Sequence, residues 1–251
     1  KCIVSHTWGN VFTHTVAACV ADALGASFYM HVVPQLMTFD RVRTLMHDLG
    51  TARLSKTYWF CAVSINQHTI GCHTSSWPCT CRTPKCCSGP QSEIGAFDKM
   101  MIILEEKHCV NTQTSSGKSS FYQLVAIDMN VTVVERVWVV AEIAEAHILQ
   151  LRQDLKPYFP LPLSGRLRDK IKDIDVNECQ STMPEDKVFI LGKIGDQKKR
   201  ECYNELVKKA LSVIPTDRRL FWGWMCSLPL ITALTTQQLT WVMQMKHHPE
   251  E

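Results

Sequence analysis

The segment Tyr58-Trp-Phe-Cys-Ala-Val-Ser-Ile65 runs with scarcely a polar break, and it limits the fold more than any other stretch of the chain. A strand with one face in water alternates apolar and polar side chains, whereas a strand covered on both faces reads as a continuous apolar run. The segment therefore predicts a central strand of a parallel sheet, and such a sheet needs helices on both faces.

The remaining segments supply those parts. Cys2 to His6 is a short β-type run, and Phe12, Val16, Cys19, Val20 and Ala23 then recur at helical spacing until Gly25. Ser27 to Val33 reads as a further strand ended by Pro34, and Phe39 to Leu54 as a helix with Val42, Leu45, Met46 and Leu49 on one face. Helix is expected over Ala96–Lys107, strand over Phe121–Asp128, and helix from about Glu135 to Asp154 with a stripe of Val137, Val140, Ala141, Ala144, Ile148 and Leu151. Residues 156–165 hold three prolines and read as a linker, before a strand at Ile171–Cys179. Thr182-Met-Pro-Glu185 resembles a capping box with Pro in the first turn, opening a helix to Ile194, and another helix spans Gln197–Val213. This alternation predicts an α/β fold of the flavodoxin-like kind. Its mainly parallel sheet would take Cys2–His6, Tyr58–Ile65, Phe121–Asp128 and Ile171–Asn177 as neighbours, with ligands beyond the carboxyl ends of the strands. Residues 1–195 are read as that domain and 196–251 as a helical extension.

Composition narrows the function classes. The 251 residues are 45% hydrophobic, enough for a substantial core, and 27 basic against 24 acidic residues leave +3, no field to concentrate on a phosphate backbone. Nucleic acid is therefore not an expected partner, and Lys198-Lys199-Arg200 and Lys208-Lys209 read as a solvated helix face. Twelve cysteines without a secretory leader fit a reducing, cytoplasmic compartment. The longest apolar run, Leu220 to Leu234, contains Pro229 and falls short of a membrane span, so it reads as a buried or docking helix. The chain opens inside a β-type run with no initiator Met, which reads as a piece of a longer protein.

Ser5-His6 closing the first strand, Ser64-Ile-Asn66-Gln67 after the apolar strand, Asp128 ending a later one and Arg136-Val-Trp138-Val-Val-Ala-Glu142 on the next helix come in an order that resembles the Toll/interleukin-1 receptor (TIR) family. The chain is also similar to uncharacterised protist proteins with Ser-His-x-Trp-Gly, Tyr-Trp-x-Cys and Arg-x-Trp-x-x-x-Glu. In TIR domains the loop after the second strand overhangs a nucleotide pocket and a Trp-x-x-x-Glu helix follows the third strand. Residues 25–56 depart from the pattern as an extra segment; if Ser27–Val33 is instead the second strand, the helix carrying Glu142 follows a fourth.

The resemblance implies two readings, a nucleotide-binding domain that cleaves the nicotinamide–ribose bond of NAD, or a non-catalytic interaction module that self-associates or assembles in signalling. In the first, Glu142 is the catalytic carboxylate, because the bond breaks through an oxocarbenium-like state that a carboxylate stabilises. By helical geometry it sits away from the apolar stripe, exposed to a cleft shared with Ser5, His6 and Trp138. Ser5, His6, Trp8, Asn66, Gln67, Asp128 and Trp138 are the nucleotide-binding candidates; His6 is equally readable as structural, Trp138 as packing, and Asn66 and Asp128 as turn formers. No Gly-x-Gly-x-x-Gly, phosphate loop or Gly-x-Ser-x-Gly elbow is present. The loop 66–92 concentrates His68, Cys72, His73, Cys79, Cys81, Cys86 and Cys87. It reads as a zinc site of His68, Cys72, Cys79 and Cys81, as free thiols, or as a redox pair; Cys-x-Cys is not the usual zinc knuckle.

Overall fold

The computed structural model describes residues 1–64, 79–81, 99–100, 102–103, 106, 121–159, 166–182 and 184–212. All of these lie in one compact unit, Lys1–Ile214. The apolar run at 220–234 lies outside the described residues.

Four strands, β1 (Cys2–Ser5), β2 (Tyr58–Phe60), β3 (Tyr122–Ile127) and β4 (Arg152–Pro157), pair in the order β2-β1-β3-β4. Every pairing is parallel, as expected, with Cys2 between Tyr58 and Tyr122 and Val4 between Phe60 and Leu124. Side chains alternate across the sheet. Ile3, Ser5, Gln123, Val125 and Ile127 point to one face, and Cys2, Val4, Tyr122, Leu124 and Ala126 to the other.

Helices cover both faces. Over the second lies α1 (Phe12–Leu24), with α2 (Phe39–Leu54) beyond it, and the alanines Ala17, Ala18 and Ala21, all fully buried, bring α1 close to the strands. The buried residues of α1 are Thr15, Ala17, Ala18, Cys19, Ala21 and Asp22; of the expected stripe only Cys19 is among them, and Phe12 is 57% exposed. Gly25 ends α1 in the left-handed region, φ +76°, where its N–H reaches the Asp22 carbonyl and that of Ala26 the Ala21 carbonyl. Over the first face lies α4 (Val137–Ile148), which follows the third strand of the sheet. It packs against α6 (Pro184–Ile194) and α7 (Gln197–Ser212), both within the unit Lys1–Ile214.

Elsewhere the elements depart from expectation. The apolar segment is strand only over Tyr58–Phe60 and turns into α3 (Cys61–Ser64), where Val63 is 72% exposed; a short apolar run does not by itself distinguish strand from helix. β2 is half-buried, and β1 and β3, buried along their whole length, are the centre. The helix expected from Glu135 to Asp154 is a 3-10 turn (Thr132–Glu135), then α4, then a break at Gln150 with φ +57° and the polar strand β4, which takes the first residues of the expected linker. Pro157 ends β4, where it interrupts no further ladder.

Ile171–Cys179 is no strand: α5 (Arg166–Lys172) runs into turns in which Asp175 accepts the Asn177 N–H and Asn204 accepts that of Val176. Side chains there meet backbone needs that a neighbouring strand would otherwise meet. Ser27–Val33 likewise forms no strand. It touches the sheet's end through two backbone bonds, Tyr29 N–H to the Pro157 carbonyl (3.2 Å) and Met30 N–H to that of Tyr158 (3.0 Å).

Candidate functional site

Parallel strands end on one side, and the loops leaving them diverge, which opens space between the first loop and a later one. Here that space is a cleft of about 620 Å³. One wall is the turn His6-Thr7-Trp8-Gly9-Asn10, continued by Phe12 and Thr15 of α1; the other is Thr132 and Glu135 of the 3-10 turn with Arg136, Gln180 and Thr182.

Three buried side-chain atoms among the described residues have no hydrogen-bond partner: His6 Nδ1, Asn10 Nδ2 and Thr15 Oγ1. All three residues line this cleft. Thr15 is fully buried and His6 is 7% exposed, and buried polar groups in folded proteins are nearly always paired. The Asn10 amide has the Tyr29 hydroxyl as an electrostatic neighbour but does not bond it in good geometry. Burial lowers the His6 pKa, and the neighbouring Val4 backbone offsets this only in part, so the imidazole enters the cleft neutral. A helix leaves its first amides unpaired; no side chain caps α1, and no acidic residue occupies its first turn. That end therefore presents N–H donors and a positive dipole to whatever occupies the space.

The opposite wall is held rigidly. Asp128 accepts the Asn130 N–H at one carboxylate oxygen and the Val133 N–H at the other, both at 2.9 Å, which fixes Val131 at φ +59°. A β-branched residue there stores strain of roughly 1–3 kcal/mol. Glu135 is ion-paired with Lys170, and the Arg136 guanidinium donates to Thr182 Oγ1 at 2.7 Å. The α4 amino terminus is partly closed, because the Val137 N–H already meets the Gln180 carbonyl at 2.9 Å.

The residues singled out in the sequence are distributed unevenly. His6 and Trp8 line the cleft. Ser5 lies behind it, fully buried, accepting the Gln123 amide at 2.7 Å; Gln153 then donates to Gln123 and to the Ile143 carbonyl, a polar ladder across the sheet beneath α4. Asp128 is the turn carboxylate just described. The Trp138 indole donates to Asp186 at 2.9 Å and packs beside Phe189, joining α4 to α6. Glu142 is not the exposed carboxylate that helical geometry suggested: it is 6% exposed, on the buried side of α4 between Val139 and Ala146, and it is not a lining residue of this cleft. The stripe used to orient α4 was too narrow, since Val139, Ile143 and Ala146 are buried as well.

Asn66 and Gln67 lie outside the described residues, as do His68 and Cys72 of the expected zinc set. Cys79 and Cys81 are described, with the Cys81 N–H 3.4 Å from the Cys79 sulfur. Among the described residues no three His, Cys, Asp or Glu side chains gather as a metal site.

Asn10, Thr15, Thr132, Glu135, Gln180 and Thr182 line the cleft without having stood out as site candidates in the sequence. Asn10 carried a signal, a polar residue directly ahead of a helix. Gln180 and Thr182 carried none, because a non-local bridge to Arg136 brings them in. The chain matches no protein-family profile, no curated protein and no solved structure.

Proposed function

We propose that this chain is a TIR-like nucleotide-binding domain whose ligand enters the cleft at the carboxyl end of β1. One observation carries the reading: the unpaired polar atoms His6 Nδ1, Asn10 Nδ2 and Thr15 Oγ1 all belong to residues lining one cleft beside an uncapped helix amino terminus. A ligand phosphate would meet the α1 amides, with Arg136 on the facing wall. Trp8 and Phe12, 41% and 57% exposed at the rim, offer ring faces to a base. NAD satisfies this pattern and has a scissile nicotinamide–ribose bond. Among the described helices none is long and apolar enough to cross a membrane.

Calorimetric titration with ADP, NAD and adenosine tests the binding. ADP and NAD are expected to bind at least tenfold tighter than adenosine, and equal affinity for all three removes the phosphate site. Nicotinamide release from NAD tests the chemistry, with Glu135→Gln and Glu142→Gln compared. Loss with Glu135→Gln alone places the reaction in this cleft, loss with Glu142→Gln alone places it where Glu142 faces, and no release from the wild type despite ADP binding leaves a nucleotide-responsive interaction module.

A further inference from the structure

A second concavity, about 480 Å³, lies on the far side of α4, where α6 and α7 pack against it. Its floor is apolar: Ile148 from α4, Ile194 from α6 and Leu206 from α7. Ile148 remains 54% exposed, a large apolar side chain at the end of an otherwise well-buried helix face. The rim is basic. Lys193, Lys198 and Lys199 border the groove against a single acid, Glu145, which stands 4.0 Å from Lys193. Among the described residues no carboxylate lies within salt-bridge distance of Lys198 or Lys199.

The rim is also held in place. The Lys199 stem lies against the turn between α6 and α7, so closely that a Cβ on Gly195 would meet its Cδ at 3.1 Å, and Gly195 adopts φ +105°, a conformation suited to glycine. Asp196 caps α7 through the Lys199 N–H at 3.0 Å. The lysine-bearing turn is therefore anchored at the backbone, with its ammonium groups beside an apolar floor.

We propose that this groove docks an acidic amphipathic helix of a partner protein, its apolar side chains on Ile148, Ile194 and Leu206 and its carboxylates on Lys198 and Lys199. Charge complementarity selects the acidic face. The exposure of Ile148 favours a helix laid across the floor over a small molecule, because small-molecule sites enclose most of their ligand. The inference does not rest on the nucleotide reading, which concerns a different cleft.

Fluorescence polarisation of the full chain with two labelled 18-residue helical peptides provides the test. Both carry leucines at i, i+3, i+4 and i+7, one flanked by glutamates and the other by lysines. The glutamate peptide is expected to bind with micromolar affinity and the lysine peptide at least tenfold more weakly. The double variant Lys198→Glu/Lys199→Glu, at exposed positions, should weaken the glutamate peptide at least tenfold with an unchanged circular dichroism spectrum. Cys202 is exposed and borders the groove, so bound peptide should slow its alkylation by N-ethylmaleimide severalfold. Equal binding of the two peptides, no binding at 100 µM, or an unaffected double variant overturns the proposal. So does displacement of the peptide by stoichiometric dodecanoate, or a dimer in sedimentation that the double variant abolishes, since these assign the groove to an amphiphile or to a second copy.

Discussion

The two ends of the sheet treat buried polar groups in opposite ways. At the amino end, Asp22 on α1 is 6% exposed and accepts the Tyr58 hydroxyl at 2.8 Å, the Tyr122 hydroxyl at 2.6 Å and the Lys56 ammonium at 2.6 Å. Lys56 also lies over both tyrosine rings. Burial pushes the Asp22 carboxyl up, but the bonds from Lys56, Tyr122 and Tyr58 together outweigh it and leave its pKa lowered. At the carboxyl end, His6, Asn10 and Thr15 are left with unpaired atoms around open space. The fold thus satisfies one carboxylate threefold at one end and leaves polar atoms unsatisfied around an open cleft at the other, a lock at one end and a polar cleft at the other.

The strongest way to break the contrast is at the lock. Asp22→Ala strands the Lys56 ammonium and takes the carboxylate from the Tyr122 hydroxyl, while the Tyr58 hydroxyl keeps the Cys19 carbonyl at 2.9 Å; it should cost about 2–4 kcal/mol in urea unfolding, below the full figure for a buried pair because Lys56 keeps 27% exposure. Next comes Glu142→Ala. A surface carboxylate would cost almost nothing, but a group 6% exposed should cost about 1–3 kcal/mol, read in the same unfolding curves; an unchanged midpoint would show that Glu142 has no structural role.

Thr15→Val sharpens the contrast at the cleft end. It replaces an unpaired buried hydroxyl with a methyl of similar shape, so folding should gain roughly 0.5–1 kcal/mol while ADP affinity falls. Loss of stability instead would mean that the hydroxyl serves the fold. The smallest effect is on pH. Burial lowers the pKa of His6 and, half-buried, of His14. The unfolded chain therefore binds protons first as pH drops below about 6.5, and stability should decline over that window while staying flat from pH 7 to 8. Bound ADP should reduce the slope in wild type and not in His6→Gln.

Legibility in the sequence followed range of interaction. The helices ending at Gly25 and Ile194 and the strand into Asp128 were readable because their periodicities and stop signals are local. The strand β4 was not: Arg-Gln-Asp-Leu-Lys-Pro has no strand composition, and it pairs because β3 offers a complete parallel ladder beside it. At the site, His6 and Trp8 could be picked out since they follow a strand, whereas Arg136 read as the first residue of a helix motif and Glu135 only as the start of that helix.

By itself the sequence determined an α/β chain with a parallel sheet covered on both faces, because hydrophobic period and burial are set residue by residue. Only the tertiary structure decided which strands are central, that Glu142 is buried while Thr15 and Asn10 reach the cleft, and that Gln180 and Thr182 complete its far wall. Those outcomes depend on how α4 is rotated against the sheet and on a bridge between residues 136 and 180, both settled by packing between segments far apart in the chain.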